Sequence, residues 1–448
     1  MVRPAGLTLQ WTNASAGVKI EVDETGLAGD TQPGDMADEQ SVAPSTEESA
    51  VSQEQGAAAI PEAFRVAQRI EPPVDAEATE PEPASPDANA NEVETDPALP
   101  EPEPVAVELS AEMKVVRDKV RQALDIYYHR RLNTRDHGPW EIMHSVVSFG
   151  VDAMVEQDGP GGEPITAIGW LCFNKPARGL TLFTSHRDSF VTRQGPGMQG
   201  HEGQLLAILA QARLREDYPL QIGGREFAVS DLIEYEKKTC RPHAEHTFKL
   251  IGLAHYLEGD AQWQNDLGQT WSIERLVHEE IQQPIRGAAC GGSHRLFGLA
   301  YAVQRREKQG LEVDGVFLKT KKYIEDYQRY TFSLQNRDGS FSTRWFEGRG
   351  DSGDIDRKMK TTGHMLEFML YTLPDQAVED VRITRAATFL ADLLNQHRSR
   401  RWENGPLGHA VHALALYSRR RFNEQAVPTP AIEGANFASD AQRGVQRQ

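Results

Sequence analysis

Six apolar segments, each opening at or near a histidine, recur along this chain and limit its fold more than any other feature. They are His144-SVVSFG, His201-EGQLLAILA, His246-TFKLIGLAHYL, His294-RLFGLAYAV, His364-MLEFMLYTL and His409-AVHALALY. Successive histidines are 57, 45, 48, 70 and 45 residues apart. Gly or Pro stands just upstream of most of them, where a helix must start. Repetition at this period is the mark of stacked supersecondary units. Each segment is apolar almost all round and rich in Ala, Gly and Leu, so each is expected as a buried helix.

More polar helices alternate with them. The periodicity predicts these near Phe227–Thr239, Ser272–Gln283, Gly315–Leu334 and Val378–Gln396, with Ser110–Leu132 leading and Ser110 as its N-cap. Alternation of buried and half-exposed helices predicts an all-α fold, an α/α toroid of about six helical hairpins. An open helical solenoid is the competing architecture. Small side chains in the inner set favour closure. No polar helix is legible between His144 and His201. Ile165–Thr184 stands there instead, two β-like runs about a Lys-Pro-Ala-Arg-Gly turn, and predicts a small β-hairpin insertion.

Charge divides the chain. Overall it holds 48 Lys+Arg against 66 Asp+Glu, a net of -18 over 448 residues. Residues 1–110 hold 23 acidic and 4 basic side chains, so the remainder is close to neutral. This gives a disordered, acidic Pro/Glu/Ala-rich tail over 1–109, a toroid domain over 110–422 and a disordered C-terminal tail over 423–448. The neutral toroid does not suggest a nucleic-acid face. The tail is read as a solvated linker, with a tail-mediated protein partner as the alternative. No run reaches the ~18–20 apolar residues of a membrane span. No secretory signal is visible, which places the chain in the cytoplasm, or exported or anchored should its start lie upstream. Three cysteines, Cys172, Cys240 and Cys290, are too few for a disulfide framework.

Chemistry is expected where the inner helices begin, because their N-termini converge at one end of a toroid. All 14 histidines lie beyond residue 110. His201, His246, His294, His364 and His409, with Glu202 and Glu367, are the candidates for acid–base catalysis. Arg241, Arg295, Arg344, Trp345 and Trp402 are the candidate substrate-binding rim. Two starts combine sulfur and nitrogen, Cys240-RP-His243-AE-His246 and Cys290-GGS-His294. These five residues, Cys240, His243, His246, Cys290 and His294, are the candidate zinc ligands. Every one of these residues also has a structural reading, as a cap, a core side chain or a helix-dipole partner.

One stretch carries a family resemblance. In Tyr330-TFSLQNRDGSF, the pattern Gln335-xxx-Gly339-x-Phe341 resembles the QW motif of squalene and hopene cyclases, with Phe341 in place of Trp. Over about residues 110–420 the architecture resembles the terpenoid cyclase/protein prenyltransferase toroid. That resemblance implies an enzyme acting on an isoprenoid-like substrate and, from the prenyltransferases, zinc near the inner-helix ends. The DxDD acid of the cyclases is missing; Asp351-SG-Asp354-I-Asp356 reads as an exposed loop. Two other classes stay open: a non-catalytic toroid scaffold binding a peptide or protein in the ring, and an acidic-glycan lyase or hydrolase.

Overall fold

The computed structural model describes residues 109–427. Most of the acidic tail and residues 428–448 lie outside them. Twelve α-helices among the described residues form six consecutive pairs. They are α1 (Ala111–His129) with α2 (Pro139–Phe149), α3 (Ala167–Cys172) with α4 (Gln204–Gln211), and α5 (Val229–Lys238) with α6 (Thr247–Tyr256). Then come α7 (Ile273–Ile281) with α8 (Ser293–Lys308), α9 (Gly315–Ser333) with α10 (Ile355–Thr372), and α11 (Val381–Gln396) with α12 (Asn404–Phe422).

The even-numbered helices touch in sequence, α2 to α4 and onward to α12, and α12 packs back on α2. That last contact closes the ring, so the toroid and not the open solenoid is the fold. Close approach explains why the inner helices are built from small residues. A Cβ on Gly363 of α10 would lie 2.8 Å from Ala410 Cα of α12. One on Gly408 of α12 would lie 2.8 Å from the His144 carbonyl oxygen of α2. Both are inside van der Waals contact, so these two faces tolerate only glycine at this spacing.

Local chemistry sets the helix ends. Ser110 accepts from Met113 N, Ser272 from Arg275 N, Asp354 from Asp356 N and Arg357 N, and Asp380 from Arg382 N. Each satisfies donors that the first turn leaves orphaned. The expected outer helices lie within a few residues of their predicted bounds. Asp354 caps α10, in keeping with a surface role for the Asp351–Asp356 run.

The insertion differs from expectation. Ile165 and Thr166 end a short strand, but the next apolar run is helix α3, capped by the Thr166 hydroxyl accepting from Gly169 N. All six residues of α3 are buried, so no alternation marks it, and a short apolar run reads as strand or helix equally well. β-structure is also more dispersed than one hairpin. Strands β1 (Leu132–Asn133), β2 (Met154–Glu156) and β3 (Pro164–Thr166) form one sheet. Three hairpins follow: β4 (Phe183–His186) with β5 (Ser189–Thr192), β6 (Pro219–Ile222) with β7 (Arg225–Ala228), and β8 (Gln262–Gln264) with β9 (Thr270–Ser272). The first described residues assigned to the C-terminal tail are ordered against the toroid, where Glu424 pairs with Arg121 of α1.

The turn with the QW-like pattern has a structural task. Gln335 donates to Gly339 O at 3.0 Å and to Arg382 O at 2.7 Å, tying the end of α9 to the start of α11. Phe341 is fully buried beneath it. Asp338 accepts from Ser340 N and Oγ, closing the turn. No helix of the described residues is long and apolar enough to cross a membrane.

Candidate functional site

Five imidazoles meet on the ring axis, from five of the six inner-helix segments. The ring centroids of His364 and His409 are 4.1 Å apart, His294 and His409 4.9 Å, and His294 and His364 5.2 Å. His144 stands edge-on to His409 at 5.4 Å, and His201 lies 6.2 Å from His294 at the rim. The histidines are not all at helix starts: His144, His364 and His409 lie inside α2, α10 and α12. Those helices begin earlier than the apolar pattern suggests, which brings the histidines to one level.

Most of these rings are oriented through Nδ1. The His364 Nδ1–H donates to Lys360 O at 2.8 Å and that of His144 to Trp140 O at 2.6 Å, one turn back on their own helices. His409 Nδ1 meets Glu367 Oε2 at 2.8 Å, and His201 Nδ1 meets Glu245 Oε2 at 2.8 Å. A carbonyl only accepts, so Nδ1 carries the proton in His144 and His364 and Nε2 keeps its lone pair. His364, carbonyl-anchored with Nε2 unpartnered among the described residues, has the arrangement of metal-binding histidines, whereas His409 Nε2 meets His294 Nε2 at 3.3 Å.

One metal-competent group of three stands out among the described residues. Donor atoms of Cys290, His294 and His364 all lie within 4.8 Å of one another. Tetrahedral zinc with bonds of roughly 2.0–2.3 Å needs about 3.3–3.8 Å between donors, so an inward movement of about 1 Å completes it. His364 Nε2 and His294 Nδ1 are buried without a hydrogen-bond partner among the described residues, as are both ring nitrogens of His246, but only the first two lie near a second donor residue of the group. Orphaned buried nitrogens are costly unless something else satisfies them. The Cys290 thiol is aimed inward by three consecutive left-handed residues, Cys290, Gly291 and Gly292, at φ 48°, 64° and 81°. A cysteine in that region carries strain of roughly 1–2 kcal/mol.

Electrostatics bias the group toward its ligand form. Burial lowers His294 to about 4 and His144 to about 3, and lowers His364 and His409 as well. Burial works to raise the Cys290 thiol, but the adjoining His364, with Lys360 and His201 beyond it, holds it below its usual value. Metal binding requires neutral imidazole and thiolate, and both shifts run that way. Glu367 sits in the centre as an ionised carboxylate. Burial opposes this, but His409 and His412 on its two oxygens hold it well below the usual range. At the rim His201 is the exception. Burial lowers it, but the Glu245 carboxylate outweighs burial and raises it, so it titrates above the other four.

Half of the expected site residues lie elsewhere. His246 N-caps α6 with its ring turned outward onto Trp271, at a centroid distance of 5.1 Å; Phe248 takes its place beside His294. Cys240 is buried at the end of α5, its thiol donating to Glu236 O and pushed by burial to about 12. His243 is exposed, with its backbone N–H on Glu279. Cys240, His243 and His246 are therefore removed from the metal set, because the N-cap His246 turns to the outer layer while Phe248 of the first turn takes the inward position. Glu202 pairs with Lys249 at 3.4 Å rather than with its neighbour His201. Arg241 is tied to Asp266 in an outer loop, and Arg295 forms a buried pair with Glu280 of α7 at 2.7 Å. Arg344 is exposed.

Trp345 does reach the centre, edge-on to His364 at 5.4 Å, as a roof. Trp402 is buried with its Nε1–H on the Tyr127 hydroxyl. His144, His412 and Glu245 join the site without having been in the expected set. His144 was marked by its place in the repeat, Glu245 by its position before His246. Nothing in the sequence marked His412. The space left between these side chains is small, a cavity of about 30 Å³ lined by His144, His294, His409, Glu367, Gln204 and Phe248 among others. No protein-family model and no curated protein sequence matches this chain.

Proposed function

We propose that the protein is a metalloenzyme of hydrolytic or group-transfer type, with a single zinc-like ion held by Cys290, His294 and His364. The observation that carries this reading is the donor triad itself, with its two orphaned buried nitrogens. Such an ion supplies Lewis-acid polarisation of a substrate oxygen or of water. Around it, His409 is fixed by Glu367 and presents Nε2 3.3 Å from the His294 ring, as a base or a fourth ligand. His201, raised by Glu245, is the rim acid. Within the toroid resemblance, this favours the metal-bearing prenyltransferase-like type over protonation-initiated cyclisation, for which the DxDD acid is absent. The cavity beside His294 and His409, about 30 Å³, has room for two or three waters at about 10–15 Å³ each and none for an isoprenoid-length chain.

The same narrowness favours a second reading, a non-catalytic scaffold whose histidine core is structural. One experiment separates them. The full chain, purified without chelator and equilibrated with zinc or cobalt, is expected to retain one ion per chain. Cys290→Ser and His364→Gln should lose it, and Cys240→Ser should keep it. A cobalt absorption spectrum that shifts on adding azide supports an open catalytic position; an unchanged spectrum supports a closed structural centre. Folded wild-type protein that takes up neither metal removes the metal centre.

A further inference from the structure

Outside the ring centre, a wedge beside α2 and α12 gathers arginines whose charge is unmatched among the described residues. Helix α1 packs on α11 and α12, and the space toward α2 is a cavity of about 460 Å³. That is within the range of small-molecule sites. Two arginine-rich segments far apart in sequence meet at its mouth, Arg130–Arg131 after α1 and Arg398–Arg401 before α12. Arg130 joins them by donating to Arg398 O at 3.2 Å and Arg400 O at 2.8 Å.

The charges in this wedge do not cancel. Arg400 is paired with Asp356. The two carboxylates that line the wedge are already engaged. Asp136 is bound by Arg135 and accepts nothing from Arg131 or Arg401. Glu141 spends one oxygen on Gly138 N at 2.6 Å and the other on Asn404 Nδ2 at 3.1 Å. Arg131 and Arg401 have no carboxylate partner among the described residues, and Arg131 Nε is buried with no partner there. A buried guanidinium N–H left unmatched is costly, and a planar or tetrahedral oxyanion is the group that satisfies it in two-pronged fashion. Behind the arginines, Tyr127 and Trp402 form a hydrogen-bonded aromatic wall at 2.9 Å. At the inner end lies His144, whose other face touches His409.

We propose that this wedge binds a small organic anion, with its carboxylate or phosphate on Arg131 and Arg401 and its body along Trp402 toward His144. This site stands on its own residues and does not rest on the metal centre. The test is calorimetric titration of the full chain with glucuronate, glucose 6-phosphate and uncharged glucose. At least one sugar anion should bind ten- to a hundredfold more tightly than glucose, the range expected for charge-assisted hydrogen bonds. Glucuronate alone would make the ligand a carboxylate, glucose 6-phosphate alone a phosphate ester. Arg401→Gln, on the exposed side, and Arg131→Gln should each weaken that anion about tenfold, with melting temperature and metal content as in wild type. Three sugars bound alike, neither anion bound, or arginine variants that bind as wild type overturn the proposal. Capture of a peptide of residues 71–104 by the arginines, with no sugar anion bound, would also overturn it and assign the wedge to the chain's own acidic segment.

Discussion

Cys240-RP-His243-AE-His246 and Cys290-GGS-His294 look like equivalent ligand sets, yet the fold gives them opposite environments. Cys290 and His294 face the ring axis and meet His364 from the next inner helix. Cys240 and His246 face the outer layer, among α5, α7 and Trp271. The linkers make the difference. Two glycines let the chain run left-handed after Cys290 and fold its thiol back over the start of α8. Before α6, the left-handed residue is His243, and His246 becomes the N-cap with its ring outward. What occupies the equivalent interior near Cys240 is an ion pair. Lys249, almost fully buried, donates to Glu236 Oε2 at 2.8 Å and Thr239 Oγ1 at 2.6 Å. The first group brings three donor atoms together at the ring centre; in the second, Cys240 and Lys249 are bonded within the fold and His246 stands apart with its own ring nitrogens lacking a hydrogen-bond partner among the described residues.

The contrast can be broken most decisively at Lys249. Lys249→Met strands Glu236 as an unpaired buried charge and should cost about 3–5 kcal/mol in denaturant unfolding, without loss of metal. Cys290→Ser, compared in metal-free protein, should cost about 1 kcal/mol or less. Equal losses at both positions would erase the distinction.

Acid is the next lever. His294 and His144 have folded values near 4 and 3 against 6.5 when free, so below about pH 6.5 the unfolded chain binds protons that the folded one refuses. Stability therefore rises with pH across this window, by about 1.4 kcal/mol per unit for each such imidazole. His364 and His409 act in the same direction. Glu367 adds stability above about 4.5 that is lost on further acidification. His201, being raised, opposes the trend and loses its contribution as pH climbs through its folded value. Unfolding titrations between pH 4.5 and 7 should show this slope, and His294→Gln should flatten it. A slope unaltered by His294→Gln would mean that the ring-centre imidazoles are accessible to protons.

Inner-helix spacing gives a smaller effect. Gly363→Ala forces α10 away from Ala410 and should cost about 1–3 kcal/mol, read as a lowered melting temperature. An unchanged melt would show that the ring has slack. The smallest contrast is chemical. In metal-free protein at neutral pH, Cys290 should react with iodoacetamide about tenfold faster than Cys240, since its thiol is lowered and that of Cys240 is pushed to about 12. Peptide mapping reads the ratio, and equal rates would place the two cysteines in like surroundings.

Much of the architecture was legible. The outer helices after Ser110, Ser272 and Asp380 begin at residues whose side chains cap them, and the inner segments are apolar on every face. The period of the repeat named five of the six histidine positions that matter. Helix α3 was not legible, because six buried residues between turns carry no period. The site was half legible. Glu367 and His409 lie 42 residues apart on different helices, and no spacing rule links them. Charge near an inner-helix start suggests a rim at Arg295 and Arg241 only if that start faces the mouth. A helix start has several faces, and these two point to α7 and to an outer loop.

By itself the sequence determined the helices other than α3, which inner segments are buried, and that a histidine recurs at each of the six inner segments. These are local properties, set by side-chain period, caps and breakers within a few residues. Only the tertiary structure decided that the ring closes, that His246 turns away while His144 turns in, that Cys290 and not Cys240 meets the histidines, and that two arginine segments some 270 residues apart share one wedge. Those outcomes depend on the rotation of each helix about its axis. That rotation is set by how side chains such as Gly363 and Gly408 pack against the neighbouring helix, and local sequence does not contain it.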